Sequence, residues 1–213
     1  GMAFGMNVQS RPRATEDPSE LVGRPLRDVA ALAKSWNFED AGIGVAAINA
    51  CHSHPEVALA RGFTPCEENN WARTFHPYAP LVAGKRVAII GHFPFAAAAM
   101  PDAAELNILE RNLFEGDYPD SACEYLLPDM DYVFISGSAF VNKTIPRLLE
   151  LAEAAHTIVL GPSTPASPAL LRAGAKTVLS FASAHAARLE EGLAGRSLLG
   201  MYDAGMRVRL SRA

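Results

Sequence analysis

Five short aliphatic runs constrain this chain more than any other feature: KRVAII (85–90), ELNILE (105–110), DYVFIS (131–136), HTIVLG (156–161) and KTVLSF (176–181). Each is about as long as one strand and too short for an independent helix, and each is bounded by turn or cap residues. Runs this continuously apolar are expected where a strand is covered on both faces, as in a parallel sheet. Helical signals lie between them. Ser121 and Glu124 have capping-box spacing, Asn142 or Thr144 can cap a helix through Leu148 and Leu149, and Ser167 and Ser183 precede two more. Strand and helix alternating at this spacing predict right-handed βαβ units. The last run, MRVRLS (206–211), alternates apolar residues with arginine and predicts an edge strand with one face in water.

The pattern changes near residue 84, which divides the chain into a small first domain (1–83) and a sheet domain (84–213). Residues 3–8 read as a short strand. Leu26, Val29, Ala30 and Ala33 then form one apolar helical stripe behind Pro25. A second helix over about 38–51 carries AGIGVAAINA, whose small residues imply close packing against another backbone. Residues 53–83 contain Pro55, Pro65, Pro77 and Pro80 and no long periodic run, so that stretch is expected to be irregular, with a short helix near Trp71.

Composition narrows the function. The net charge of −4 lacks the basic excess that neutralising a phosphate backbone needs, so nucleic acid is not an expected partner. The longest apolar stretches are about half a bilayer span, so no membrane partner is expected either. Cys51, Cys66 and Cys123 have no paired spacing, and no charged-then-apolar leader opens the sequence as given; the expected compartment is a reducing cytoplasm.

Ligands of open parallel sheets bind beyond the carboxyl ends of the strands. The first such end reads Gly91-His92-Phe93-Pro94-Phe95; one glycine where GxGxxG has three argues against a pressed pyrophosphate and suits a flat ring, with core packing of Phe93 and Phe95 as the alternative. Glu110 closes the second run, where a carboxylate commonly binds ribose; a surface charge beside Arg111 is the plainer reading. After the third run, Gly137 and Ser138 permit close approach of a ligand. Asn142, Lys143 and Thr144 follow, with Lys143 an anion candidate beside a helix start or else an exposed lysine near two capping residues. Gly161, Ser163 and Thr164 lie in the proline-fixed loop GPSTP. Cys51, His52 and His54 are the weak metal candidates, at spacings that match no known zinc pattern.

IGVAAINA, IGHFPF, LNILERN, GDYPDSACEYLLPDMDYVFISGSAFVNKT and GPSTPASP, in that order, resemble the putative heavy-metal chelation family over about residues 42–174. The resemblance implies a Rossmann-like parallel sheet flanked by helices, preceded by a small α+β domain of enolase-N-terminal type that is short here. It also implies a site between the two, adding Asn49, Asp117 and Asp120 to the candidates above.

The leading expectation is therefore a protein that binds a small molecule, an enzyme or a carrier, connected with heavy-metal chelation or with pterin-, flavin- or siderophore-like compounds. The alternatives are a methyltransferase-like protein holding an adenosyl cofactor through Glu110, and a non-catalytic binder of a divalent metal through Cys51, His52 and His54. A homodimer is left open.

Overall fold

The computed structural model describes residues 1–6, 8, 11–14, 17–195 and 201–212. All five runs form strands: Arg86–Ile90 (β2), Glu105–Glu110 (β3), Tyr132–Ser136 (β5), His156–Leu160 (β6) and Thr177–Ala182 (β7). Two-residue strands Thr64–Pro65 (β1) and Tyr118–Pro119 (β4), with Met206–Ser211 (β8), complete a sheet of order β1-β8-β7-β6-β5-β2-β3-β4. The strands from β2 to β7 are mutually parallel, whereas β8 runs antiparallel to both β7 and β1.

Pleating sorts the apolar runs onto two faces, because successive side chains of a strand point to opposite sides. Ala88, Val133, Ile135, Val159 and Val178 face one core, covered by Cys123–Leu126 and Ile145–Leu151. Val87, Ile89, Phe134, Ile158, Leu160 and Leu179 face the other, covered by Trp71, Phe75, Tyr78, Val82 and Met100. A division at residue 84 thus cuts through one covering layer of the sheet.

In the first segment, the helix Leu26–Ala30 continues as a tighter turn to Lys34 and lies along the helix Phe38–His52. Asn37 caps the latter, its Oδ1 accepting from the N–H groups of Glu39 and Asp40 at 3.1 and 3.3 Å. Gly44 is where the two helices meet: a Cβ there would lie 1.9 Å from the Ala33 nitrogen. On another side Ala41 and Val45 pack against Val141.

Four expectations need correcting. Among the described residues of 1–52 no strand forms, so the strand expected at 3–8 is not found. The polar backbone groups there bond elsewhere: the Phe4 N–H donates to Ser163 Oγ at 2.7 Å and the Met2 carbonyl accepts from Asn49 Nδ2 at 2.6 Å. The 53–83 stretch is not irregular; it contains helices Pro55–Ala60 and Ala79–Val82 and 3₁₀ turns at Trp71–Arg73 and His76–Tyr78. Pro55, Pro77 and Pro80 sit in the first turn of these elements, where a missing N–H costs nothing. The MRVRLS run is not the edge, because β1 pairs along its outer side, and Arg207 is buried rather than in water. The Ser121–Glu124 capping box does not form: the helix begins at Cys123, and Glu124 pairs instead with Arg147 at 2.6 Å.

Candidate functional site

Numbered in chain order, the six parallel strands lie 3-2-1-4-5-6, and the order reverses between β2 and β5. A reversal of this kind opens a crevice beyond the strand ends, because the flanking connections leave in opposite directions. Three loops are pressed together there. Gly91, with φ of +110°, approaches Ser136 so closely that a Cβ would lie 3.0 Å from the Ser136 Cβ. A Cβ on Gly137 would lie 2.6 Å from Thr164 Oγ1 and 2.7 Å from the Thr164 nitrogen. The helix Phe38–His52 reaches the same end through Asn49, whose Nδ2 donates to the Pro162 carbonyl at 3.4 Å.

His92 has the most developed surroundings. Its Nδ1 lies 3.0 Å from Asp117 Oδ2, and the Asp117 side chain is almost fully buried. The same carboxylate oxygen accepts from the Phe114 N–H at 3.1 Å, and the Phe114 ring stacks on the imidazole with centroids 4.2 Å apart. A buried carboxylate on one nitrogen fixes ring orientation and directs the other nitrogen, Nε2, to a different partner. This is the geometry of a proton-transfer group or of an oriented ligand.

Glu110 is spent on the backbone. Its Oε2 accepts from the His92 N–H at 2.9 Å, and its Oε1 accepts from the N–H groups of Arg111 and Asn112 at 2.6 and 3.2 Å. Three of its four lone-pair directions are thus used to tie the β2 and β3 loops together, which leaves little for a ribose. Asp120 pairs with the Arg111 guanidinium at 2.9 Å. Phe93 packs edge-on against the buried Phe75 at 5.4 Å and belongs to the second core.

Downstream of β5, Ser138 donates its hydroxyl to Ser136 Oγ at 3.0 Å. Asn142 Oδ1 accepts from the Thr144 N–H and hydroxyl at 3.2 and 2.7 Å, so it shapes the turn and neither side chain caps the helix Ile145–Leu151. Lys143 adopts φ of +69° and donates its ammonium to the Ala33 carbonyl, joining the first helical pair to the sheet. Burial lowers its pKa.

Several buried oxygens lack partners. Asn49 and Thr164 are fully buried, yet Asn49 Oδ1 and Thr164 Oγ1 make no hydrogen bond, and neither does Ser53 Oγ. Each such atom costs about 1–3 kcal/mol unless something else meets it. Asn49 and Ser53 line a cavity of about 80 Å³ with Met2, His54, Pro162 and Ser183.

The metal candidates do not assemble. Cys51 is exposed, and His52 Nδ1 contacts the Arg61 guanidinium; burial and then that positive charge lower the His52 pKa. Among the described residues no three His, Cys, Asp or Glu side chains gather where they could hold a metal ion. His92 presents a single nitrogen. The donors among the described residues therefore do not form a metal cage by themselves.

The sequence pattern of one family, described as putative heavy-metal chelation (DUF364), matches residues 75–202, which is more than half of the chain. The chain belongs to the putative heavy-metal chelation family. A second pattern of the same description (DUF4213) matches residues 1–52. A crystal structure of a DUF364 protein of unknown function from Desulfitobacterium hafniense is 38% identical, with a TM-score of 0.84 over 100% of this chain and 86% of that one. Another from Pyrococcus horikoshii, 23% identical with a TM-score of 0.75 over 96% of this chain and 80% of that one, shares the fold. An uncharacterised protein of Methanocaldococcus jannaschii is 27% identical over 161 residues, 71% of this chain. The chain spans 57% of that relative's length.

Within this chelation-family fold, sequence reading missed Phe114, the Trp71–Tyr202 stack and Ser53. Trp71 Cζ2 comes within 4.0 Å of where a Gly161 Cβ would be, so an aromatic stack borders the β6 loop. Phe114 sits three residues before Asp117 in an unpatterned loop, and nothing periodic marks it. Among the described residues no helix is long and apolar enough to cross a membrane.

Proposed function

We propose that this chain binds a small organic ligand, of metal-chelator, pterin or flavin type, at the crevice between β2 and β5, with His92 as its proton-handling group. The observation that carries this reading is the His92–Asp117 contact of 3.0 Å at the point where strand order reverses. The stacked Phe114 ring supports a flat ligand, since an aromatic ring next to an imidazole favours π-faced partners. Among the described residues no group of three His, Cys, Asp or Glu side chains gathers around a common point, which favours a ligand that brings its own chelating groups over direct capture of a bare ion. Commitment of the Glu110 carboxylate to three backbone N–H groups counts against the adenosyl alternative.

A thermal-shift screen of pterins, flavins, hydroxamate and catechol chelators, adenosyl compounds and bare divalent ions tests the reading, because a ligand of the folded state raises Tm by mass action. An organic chelator or heterocycle should raise Tm in the wild type and lose that effect in His92→Ala. A rise produced by bare metal ions alone, unchanged in His92→Ala, would overturn it.

A further inference from the structure

Residues 2–4 lie across the β6 turn and the helix Phe38–His52, and they engage both through the backbone. The Met2 carbonyl accepts from Asn49 Nδ2 at 2.6 Å and the Phe4 N–H donates to Ser163 Oγ at 2.7 Å, one on either side of Ala3. Asn49 also donates to the Pro162 carbonyl, so both anchors belong to one surface, the β6 side of the strand-end crevice. Peptide groups of the chain thus occupy two polar positions that this surface offers. Their hold is slight. Met2 is buried against Phe181 and Met201, but the Phe4 ring is 58% exposed. Asn49 beneath is fully buried with its Oδ1 unpartnered, and a cavity of about 80 Å³ remains among Met2, Asn49, Pro162 and Phe181. The segment therefore covers polar ground without satisfying or filling it. Gly5 comes next, exposed, and a Cβ there would meet nothing within 4 Å, so the backbone is free to turn at that point. Beyond it the Val8 carbonyl accepts from the Phe38 N–H at 3.1 Å and fixes the root.

We propose that residues 2–4 are an autoinhibitory strap, hinged at Gly5, whose backbone holds Asn49 and Ser163 until a ligand of the crevice displaces it. The incoming molecule replaces the strap group for group, bringing an acceptor to Asn49 Nδ2 and a donor to Ser163 Oγ. Lifting the strap costs its two hydrogen bonds and the burial of Met2. While closed forms dominate, the apparent affinity is lowered in proportion to the open fraction. The gating rests on the crevice being the ligand site, whereas the separate opening of the strap does not.

The test compares the full chain with Phe4→Pro, which deletes the N–H donated to Ser163, and with Met2→Ala, which shortens the side chain packed on Phe181 and Met201. Native-state hydrogen exchange followed by NMR reads the opening. The Phe4 amide should exchange roughly a hundredfold faster than the amides of β6, at a rate that low denaturant leaves unchanged, as local opening requires. Calorimetry with pterin, riboflavin, acetohydroxamate and catechol reads the gating. A compound that binds should bind roughly three- to tenfold more tightly to both variants, and its saturation should speed exchange at Phe4. Binding seen in the variants alone would support the proposal equally. A Phe4 amide that exchanges only together with β6 would overturn it. So would a compound that binds all three proteins alike and leaves Phe4 exchange unchanged; loss of that binding in His92→Ala would then leave the reading of His92 standing. Binding of none of the four compounds to any of the proteins would overturn the gating together with the crevice reading.

Discussion

His92 Nδ1 and Asp117 Oδ2 lie 3.0 Å apart, and the same aspartate oxygen also holds the Phe114 N–H. One buried carboxylate thus orients the imidazole and positions the ring stacked upon it. Asp117→Asn keeps the shape but turns one acceptor oxygen into a donor, weakening both bonds. The expected loss is about 1–3 kcal/mol in chemical denaturation, with ligand binding reduced further than stability alone explains. Stability and affinity both equal to wild type would show that Asp117 orients nothing.

Thr164→Val should move stability and binding in opposite directions. The Thr164 side chain is fully buried and its hydroxyl has no partner, so valine of the same shape removes an unmet polar group. Thermal denaturation should show a gain of about 1 kcal/mol. If the hydroxyl serves a ligand in the crevice, calorimetry on the variant should show weaker binding. A destabilised Thr164→Val would mean that the hydroxyl is satisfied after all.

Gly137→Ala tests the close approach of the β5 and β6 loops. The added methyl would sit 2.6 Å from Thr164 Oγ1 and 2.7 Å from the Thr164 nitrogen, and backbone cannot rotate aside. A loss of about 1–3 kcal/mol is expected from such overpacking. Gly116→Ala is the control: its Cβ meets nothing within 4 Å, and only its φ of +91° opposes it, at about 1–2 kcal/mol. A milder effect at Gly137 than at Gly116 would show that the loops can part.

Alkaline pH should unfold the protein in a defined window. Burial pushes the phenols of Tyr78 and Tyr202 up to about 12, and the Cys123 thiol, through burial and then the Asp120 charge, to about 12 as well. These groups stay protonated in the fold after the unfolded chain would have released them. Their stabilisation is complete below their ordinary values of about 9 to 10 and is lost as pH rises through about 12. Phenolate absorbance should therefore show a late phase coinciding with loss of tertiary circular dichroism. Complete ionisation of all tyrosines in a still-folded protein would contradict it.

The sheet was legible because its strands carry their burial in their composition: DYVFIS and HTIVLG are apolar on both faces and need only local patterning to be read. The covering layer of residues 71–82 was not, since its elements are single turns stabilised by the sheet beneath them rather than by periodicity. At the site, strand-end position singled out Gly91, His92, Gly137 and Thr164. What those residues touch was not accessible in the same way. The Glu110 carboxylate turns back on backbone N–H groups, the Lys143 ammonium reaches Ala33 across the fold, and Phe114 meets His92 through a loop. Such contacts join residues distant in sequence, and no local pattern encodes them.

The bond from the Phe4 N–H to Ser163 Oγ spans 159 positions. Closing so long a loop is entropically unfavourable until the rest of the structure holds its ends near each other. At ribosomal speeds of about 5–20 residues per second, Phe4 waits roughly 8–30 s for that serine to be synthesised. During biosynthesis Phe4 therefore settles only once the β6 turn exists to receive it.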